Sequence, residues 1–256
     1  MRSTSPATRF VLLAVLLAGA GSAVARADPP PPPLPSLRHL VFALDLGLKD
    51  EYEKRQESRR RIGISRSPRS GDRIPPDQRT AAYDRHFKGR IVCDVVAASS
   101  DGGLVVDISE DATERAAPPV RVAVEPNGHL SYSPSTTVFE EEAALLRLLA
   151  RSIIGSQPHD VGASWVVEDN GKGYGSKTTF RVTAVQAADD LRLDLDQQYH
   201  QDGIDGSVQG KVAYDQSKLV PRTATFGAQA RRETPDGYRV VSMDIRLSLV
   251  EDSFGR

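Results

Sequence analysis

The chain has 256 residues, 39% of them hydrophobic and 26% charged, with a formal net charge of -1. That length can bury a sizeable core in one domain with extensions. The near-neutral balance argues against a nucleic-acid binder, which usually carries a strongly basic face.

Residues 1–27 have the architecture of a secretory signal peptide. Arg2 and Arg9 form a basic start, Phe10–Ala18 an apolar centre, and Ala23-Val-Ala25 and Ala25-Arg-Ala27 two small-x-small cleavage sites. The apolar run, Phe10–Ala25, is shorter than the roughly 20 residues a membrane-spanning helix needs. The expectation is export, with a periplasmic or extracellular product after cleavage near Ala27. The product would carry a net charge of -4, since the removed segment holds three arginines and no acid. Leu17–Gly21 holds no cysteine, so a bacterial lipid anchor is not expected there. Residues 28–37 contain the unbroken run Pro29–Pro33, which favours an extended polyproline helix and reads as a tether.

A single β-rich domain is expected over residues 38–251, with a short tail at 252–256. His39–Lys49 alternates strictly, with Leu40, Phe42, Leu44, Leu46 and Leu48 on one face, as in a half-buried strand. Lys54–Arg90 interrupts the pattern with twelve basic residues against four acids, a net of +8. Its centre is rich in Ser, Pro, Gly and Arg and lacks the apolar surface needed to offset ordering entropy. A mobile basic loop over about 54–82 is therefore expected. Arg59, Arg60, Arg61, Arg66 and Arg69 are its candidate contacts to an anionic envelope surface or polyanion.

Strand patterning resumes at Phe87. Arg90–Ala97 faces Leu104–Ser109 across the hairpin turn Ser99–Gly103. Cys93, the only cysteine, falls in this strand and reads as a small buried hydrophobe, so an internal disulfide is excluded. Val120–Glu125 alternates and turns at Pro126-Asn-Gly128. A helix follows over Val138–Ile154, with Thr137-x-x-Glu140 fitting a capping box and Glu140, Glu141 and Glu142 at the positive end of the dipole. Its apolar face is broad, which implies deep packing.

Beyond Gly155 the chain reads as a meander. Gly162-Ala-Ser-Trp165 opens a strand, and Asn170–Gly175 and Asp189-Asp190 are turns. Leu191, Leu193 and Leu195 alternate with polar residues. Gly206 and Gly210 allow bending or close approach. Pro221 marks an edge or a bulge, and Pro235-Asp-Gly237 a turn. Tyr238–Val250 places Val241, Met243, Ile245, Leu247 and Leu249 on one face. The fold class is mainly β (α+β): a strongly curved antiparallel sheet, or half-barrel, of about ten strands packed on the single helix Val138–Ile154.

Motif chemistry is sparse. Gly171-Lys-Gly-Tyr-Gly175 lacks P-loop spacing and the strand-to-helix setting. Asp202-Gly-Ile-Asp-Gly206 lacks the full calcium-loop pattern. The five histidines form no zinc-ligand set, and there is no Gly-x-Ser-x-Gly elbow. No catalytic, cofactor or metal residue is assigned. A hydrolase using His159 or His200 beside a nucleophile is an alternative reading. A closed outer-membrane barrel would need a lipid-facing apolar band with aromatic girdles, and aromatic residues make up only 6%.

The segments Leu40–Leu48, Gly162–Trp165, Gly206–Asp215 and Tyr238–Val250 together resemble the unclosed β-barrel proteins of the bacterial envelope, the LolA-type carriers and the LppX-like lipoproteins. The chain departs from the latter in lacking a lipobox cysteine. The resemblance implies an apolar cavity between sheet and helix for a hydrophobic or amphiphilic small molecule, with Trp165, Phe139 and Leu146 as candidate lining residues. An envelope scaffold or adhesion module using the basic loop is the other reading.

Overall fold

The computed structural model describes residues 36–54, 79–112, 118–133, 136–150, 153–171, 174–187, 190–201, 203–235 and 237–254. The expected signal peptide, the proline tether up to residue 35, and most of the basic segment with Arg59, Arg60, Arg61, Arg66 and Arg69 lie outside these residues. Among the described residues, eleven strands and one helix make up the architecture. They are β1 (Arg38–Lys54), β2 (Arg79–Ala98), β3 (Leu104–Ala112), β4 (Val120–Val124), β5 (Leu130–Ser131), α1 (Glu140–Leu149), β6 (Ser164–Gly171), β7 (Tyr174–Ala187), β8 (Asp190–Gln201), β9 (Ile204–Asp215), β10 (Val220–Thr234) and β11 (Gly237–Asp252).

All the strands join one antiparallel sheet in the order β5-β4-β3-β2-β1-β11-β10-β9-β8-β7-β6. The chain starts in the middle, at β1, and steps outward by hairpins to the edge strand β5. It crosses through α1 to the opposite edge, β6, and steps back until β11 pairs with β1. Only the α1 segment links sheet positions that are not neighbours. The sheet stays open, since β5 and β6 are not hydrogen-bonded to each other. Its two margins nevertheless meet: His129, in the β4–β5 connection, places Nδ1 3.7 Å from Asp169 Oδ2 on β6.

Period-2 alternation accounts for the two faces. Leu40, Phe42, Leu44 and Leu46 of β1 are buried, as are Ile245 and Leu247 of β11 and Ala224 and Phe226 of β10. The opposite face is polar. One row runs across seven strands as Arg181, Asp194, Lys211, Thr225, Arg246, Asp45 and Lys88. Opposite-charge neighbours across strands contribute roughly 0.2–1 kcal/mol each. This outward row is the reverse of a lipid-facing apolar band.

The basic segment is only partly an interruption. Residues 79–90 belong to β2 and pair along β1 as far as Glu53↔Arg79. The charges along this arm had hidden a strand, in which Asp84, Arg85 and His86 are exposed. Pro221 sits at a register shift in β10, a central strand, so it marks a bulge and not an edge. Cys93 is fully buried, and burial pushes its thiol pKa up, with Glu142 and Asp94 adding to the effect. It behaves as a core residue.

The helix is shorter than its apolar stripe. It ends at Leu149, and Ala150 turns extended with ψ 124°. Ile153 and Ile154 stay buried, but in a turn. Phe139, not Thr137, precedes the first turn, and its N–H donates to Glu142 Oε2 at 2.8 Å. Leu145, Leu146 and Leu148 are almost wholly buried, each worth about 1.5–3 kcal/mol of transfer free energy. The segment after the helix is pinned to both margins of the sheet. A Cβ at Gly128, on the β4–β5 turn, would stand 3.0 Å from Ile153 Cδ1, and Trp165 of β6 donates Nε1 to Ile153 O at 2.8 Å.

Candidate functional site

The space left between α1 and the concave face is a narrow, partly open cleft of about 80 Å³. Strand register grades its floor. One row is Phe180, Leu195, Gly210, Phe226 and Ile245; the next is Thr178, Gln197, Val208, Ala228 and Met243; then come Ser176, Tyr199 and Gly206. Along β7 and β8 the floor thus changes from hydrocarbon to hydroxyl and amide within a few residues, at about 3.3 Å rise each. Along β10 and β11 it stays apolar. Concave, mostly apolar pockets with a few placed polar groups are the usual form of a small-molecule site.

Two glycines give this floor its depth. A Cβ at Gly206 would fall 2.0 Å from the Tyr199 ring, and one at Gly210 would fall 2.5 Å from the Phe226 ring. Each ring therefore lies flat over a glycine on the neighbouring strand, where any side chain would lift it into the cleft.

The roof is the face of α1 carrying Glu140, Ala144, Arg147 and Leu148, and Asn127, Gly128, Val167 and Asp169 form the side where the sheet margins meet. Glu140 is half-buried at this wall. Desolvation raises its pKa above the ordinary carboxylate range, Arg147 opposes that shift, and Glu141 adds to it. The Tyr132 hydroxyl is pushed up by burial and by Glu140, with Arg147 pulling the other way, so the three groups share one local field. A carboxyl whose folded pKa is raised contributes stability at low pH and loses it as pH rises through that value. The substitution Glu140→Gln is therefore expected to raise the melting temperature at pH 7. The gain should close toward about pH 4, where the parent carboxyl is itself protonated. Equal melting temperatures at both pH values would refute the desolvation.

The three residues named from sequence as lining sit beside the cleft and not in its wall. Leu146 is fully buried. It lies two residues, and so about 200° around the helix, from Ala144, facing the core. Phe139 precedes the helix and caps it through its backbone. Trp165 stacks on Phe180 with ring centroids 5.5 Å apart and 10° between planes, so it backs a lining residue.

The histidines form no shared site. His159 places Nε2 3.0 Å from Ile154 O, and His200 Nδ1 lies 2.7 Å from Asp205, its cross-strand partner at the exposed β8–β9 hairpin. Among the described residues no group of three or more His, Cys, Asp or Glu could hold a metal ion. Asp202, the first residue of the candidate calcium loop, lies outside the described residues.

No protein-family model matches the sequence, and no curated protein does. Among solved structures the chain is similar to lipovitellin, in a structure described as lipid–protein interactions in lipovitellin. The TM-score is 0.45 and the identity 11% over 84% of this chain, which spans 25% of that one.

Proposed function

We propose that this chain is an exported, non-enzymatic protein that holds a lipid or other amphiphilic small molecule between α1 and the concave face of its sheet. One observation carries the reading: the floor of the cleft is apolar along Phe180, Leu195, Val208, Phe226, Met243 and Ile245, and the polar side chains of that floor, Ser176, Thr178, Gln197 and Tyr199, lie toward one end. Burying a hydrocarbon chain on that floor yields about 25 cal/mol per Å² of apolar surface removed from water. Export rests on the sequence of residues 1–27, and the periplasm or the outside medium is where the mature protein would work.

A dye-binding experiment tests the site. Residues 28–256, expressed in the cytoplasm, should enhance the fluorescence of N-phenylnaphthylamine, and native mass spectrometry should find co-purified lipid. Ala144 is on the roof and half-buried, so Ala144→Trp should fill the space. The expected result is at least about a tenfold loss of dye affinity, or 1.4 kcal/mol, with far-UV circular dichroism and melting temperature retained. No dye binding by the parent, or equal binding by a folded Ala144→Trp, would overturn the reading.

A further inference from the structure

The polar end of the cleft narrows the ligand further, on the premise that the cleft is the binding site. Ser176 and Thr178 are each more than nine-tenths buried, and Gln197 lies directly opposite Thr178 across β7 and β8. All three line the cleft. Among the described residues their side chains make no hydrogen bond to another protein group. None of the three has a polar atom that is both shut away and unpaired, and Gln197 is half-buried, so their hydroxyl and amide groups are open to bond a molecule that enters the cleft.

Fixed charges on the other walls restrict what those partners can be. The cleft is lined by two carboxylates, Glu140 and Asp169, and one guanidinium, Arg147. Glu140 and Arg147 lie on the same face of α1 and influence each other electrostatically. A carboxylate head drawn to Arg147 would meet Glu140 and Asp169, and an ammonium head drawn to those acids would meet Arg147. Desolvating a charged head among such mixed walls is costly. A head with hydroxyl groups and no charge meets the three unpaired side chains and neither repulsion.

We propose that the cleft is built for an amphiphile with an uncharged, hydroxyl-bearing head, of which a monoacylglycerol is the simplest. Its chain lies over Phe180, Phe226 and Ile245, and its hydroxyls bond Ser176, Thr178 and Gln197. The site favours such a head over the fatty acid or fatty amine carrying the same chain.

The test is competition against bound N-phenylnaphthylamine at pH 7, with monooleoylglycerol, oleate and oleylamine each kept below the concentration at which it self-assembles. Monooleoylglycerol is expected to displace the dye at a concentration at least about tenfold below the other two. The near-isosteric double change Thr178→Val with Gln197→Leu should weaken monooleoylglycerol about tenfold and leave oleate within about twofold, since it removes two neutral hydrogen bonds. The smaller change Ser176→Ala should weaken monooleoylglycerol about threefold and serves should the double variant melt early. Oleate or oleylamine binding as tightly as monooleoylglycerol, or a folded variant keeping the preference, overturns the head-group assignment alone. Failure of the dye and of all three lipids to bind overturns the cleft reading with it.

Discussion

Gly89→Ala is expected to destabilise the fold by on the order of 3 kcal/mol, the upper end for forcing extra volume into a packed site. Gly89 lies in β2 between Leu44 of β1 and Ala112 of β3. A Cβ there would stand 2.2 Å from Asp111 O and 2.4 Å from Ala112 Cα. Those are backbone atoms, which cannot rotate aside as a side-chain tip can, so β3 would have to move. Beyond β3 lies β4, whose connection to β5 supplies Asn127 and Gly128 to the cleft, so the damage should reach the site. For a domain of this size the melting temperature should fall by about 10 °C. Gly47→Ala is the control: its Cβ would meet nothing nearer than Asp244 Cβ at 3.7 Å, an ordinary contact, and the expected change is within about 1 kcal/mol. If Gly89→Ala melts within 2 °C of the parent, by the same scaling, the close approach of β2 and β3 is not present in solution.

The strands were legible because their periodicity reports burial directly. Leu40–Leu48 and Val241–Leu249 alternate, and the same parity faces the core in the fold. The turns at Ser99–Gly103 and Pro126–Gly128 were legible because glycine supplies backbone conformations that few other residues tolerate, as Gly102 and Gly128 do with φ of 96° and 84°. The helix was overextended for a related reason. Ile153 and Ile154 continue the apolar stripe and are buried, but apolar spacing reports burial and not conformation, and the chain leaves the helix at Ala150. The strand character of residues 79–86 was missed because arginine-rich sequence was taken as solvated loop, although a sheet with one wet face accepts such residues readily.

The cleft was harder to see than the fold. Its floor joins Phe180, Phe226 and Ile245, which only the pairing of β7 through β11 brings into one row. A single large ring such as Trp165 says nothing about which neighbour it covers. A signal did exist. Leu191, Leu193 and Leu195 set an inward parity that Gln197 and Tyr199 continue, and Thr178 stands at an inward position beside Phe180. Polar residues at core-facing positions of a strand are the mark of a site or of a wet cavity, and more so when neighbouring strands place them side by side. The glycines of β9 were read from sequence as points of bending or close approach, and the two aromatic rings lying over them are the close approach.

Leu146→Ala should separate the two faces of α1. Leu146 is wholly buried on the core side, and deleting its side chain removes transfer free energy and leaves a void, an expected loss of about 3 kcal/mol. Chemical denaturation should show it as a lower midpoint with an unchanged slope. At a temperature where the variant remains folded, its affinity for N-phenylnaphthylamine should stay within about twofold of the parent, a difference of roughly 0.4 kcal/mol. Its void lies on the far side of the helix from Ala144. Ala144→Trp should give the opposite pair of results, native-like stability with binding lost. The two substitutions thus form a crossed test of one short helix, in which stability follows the face carrying Leu146 and binding follows the face carrying Ala144 and Arg147. Loss of dye affinity by folded Leu146→Ala would put Leu146 in the wall of the binding site and move the cleft to the other side of α1.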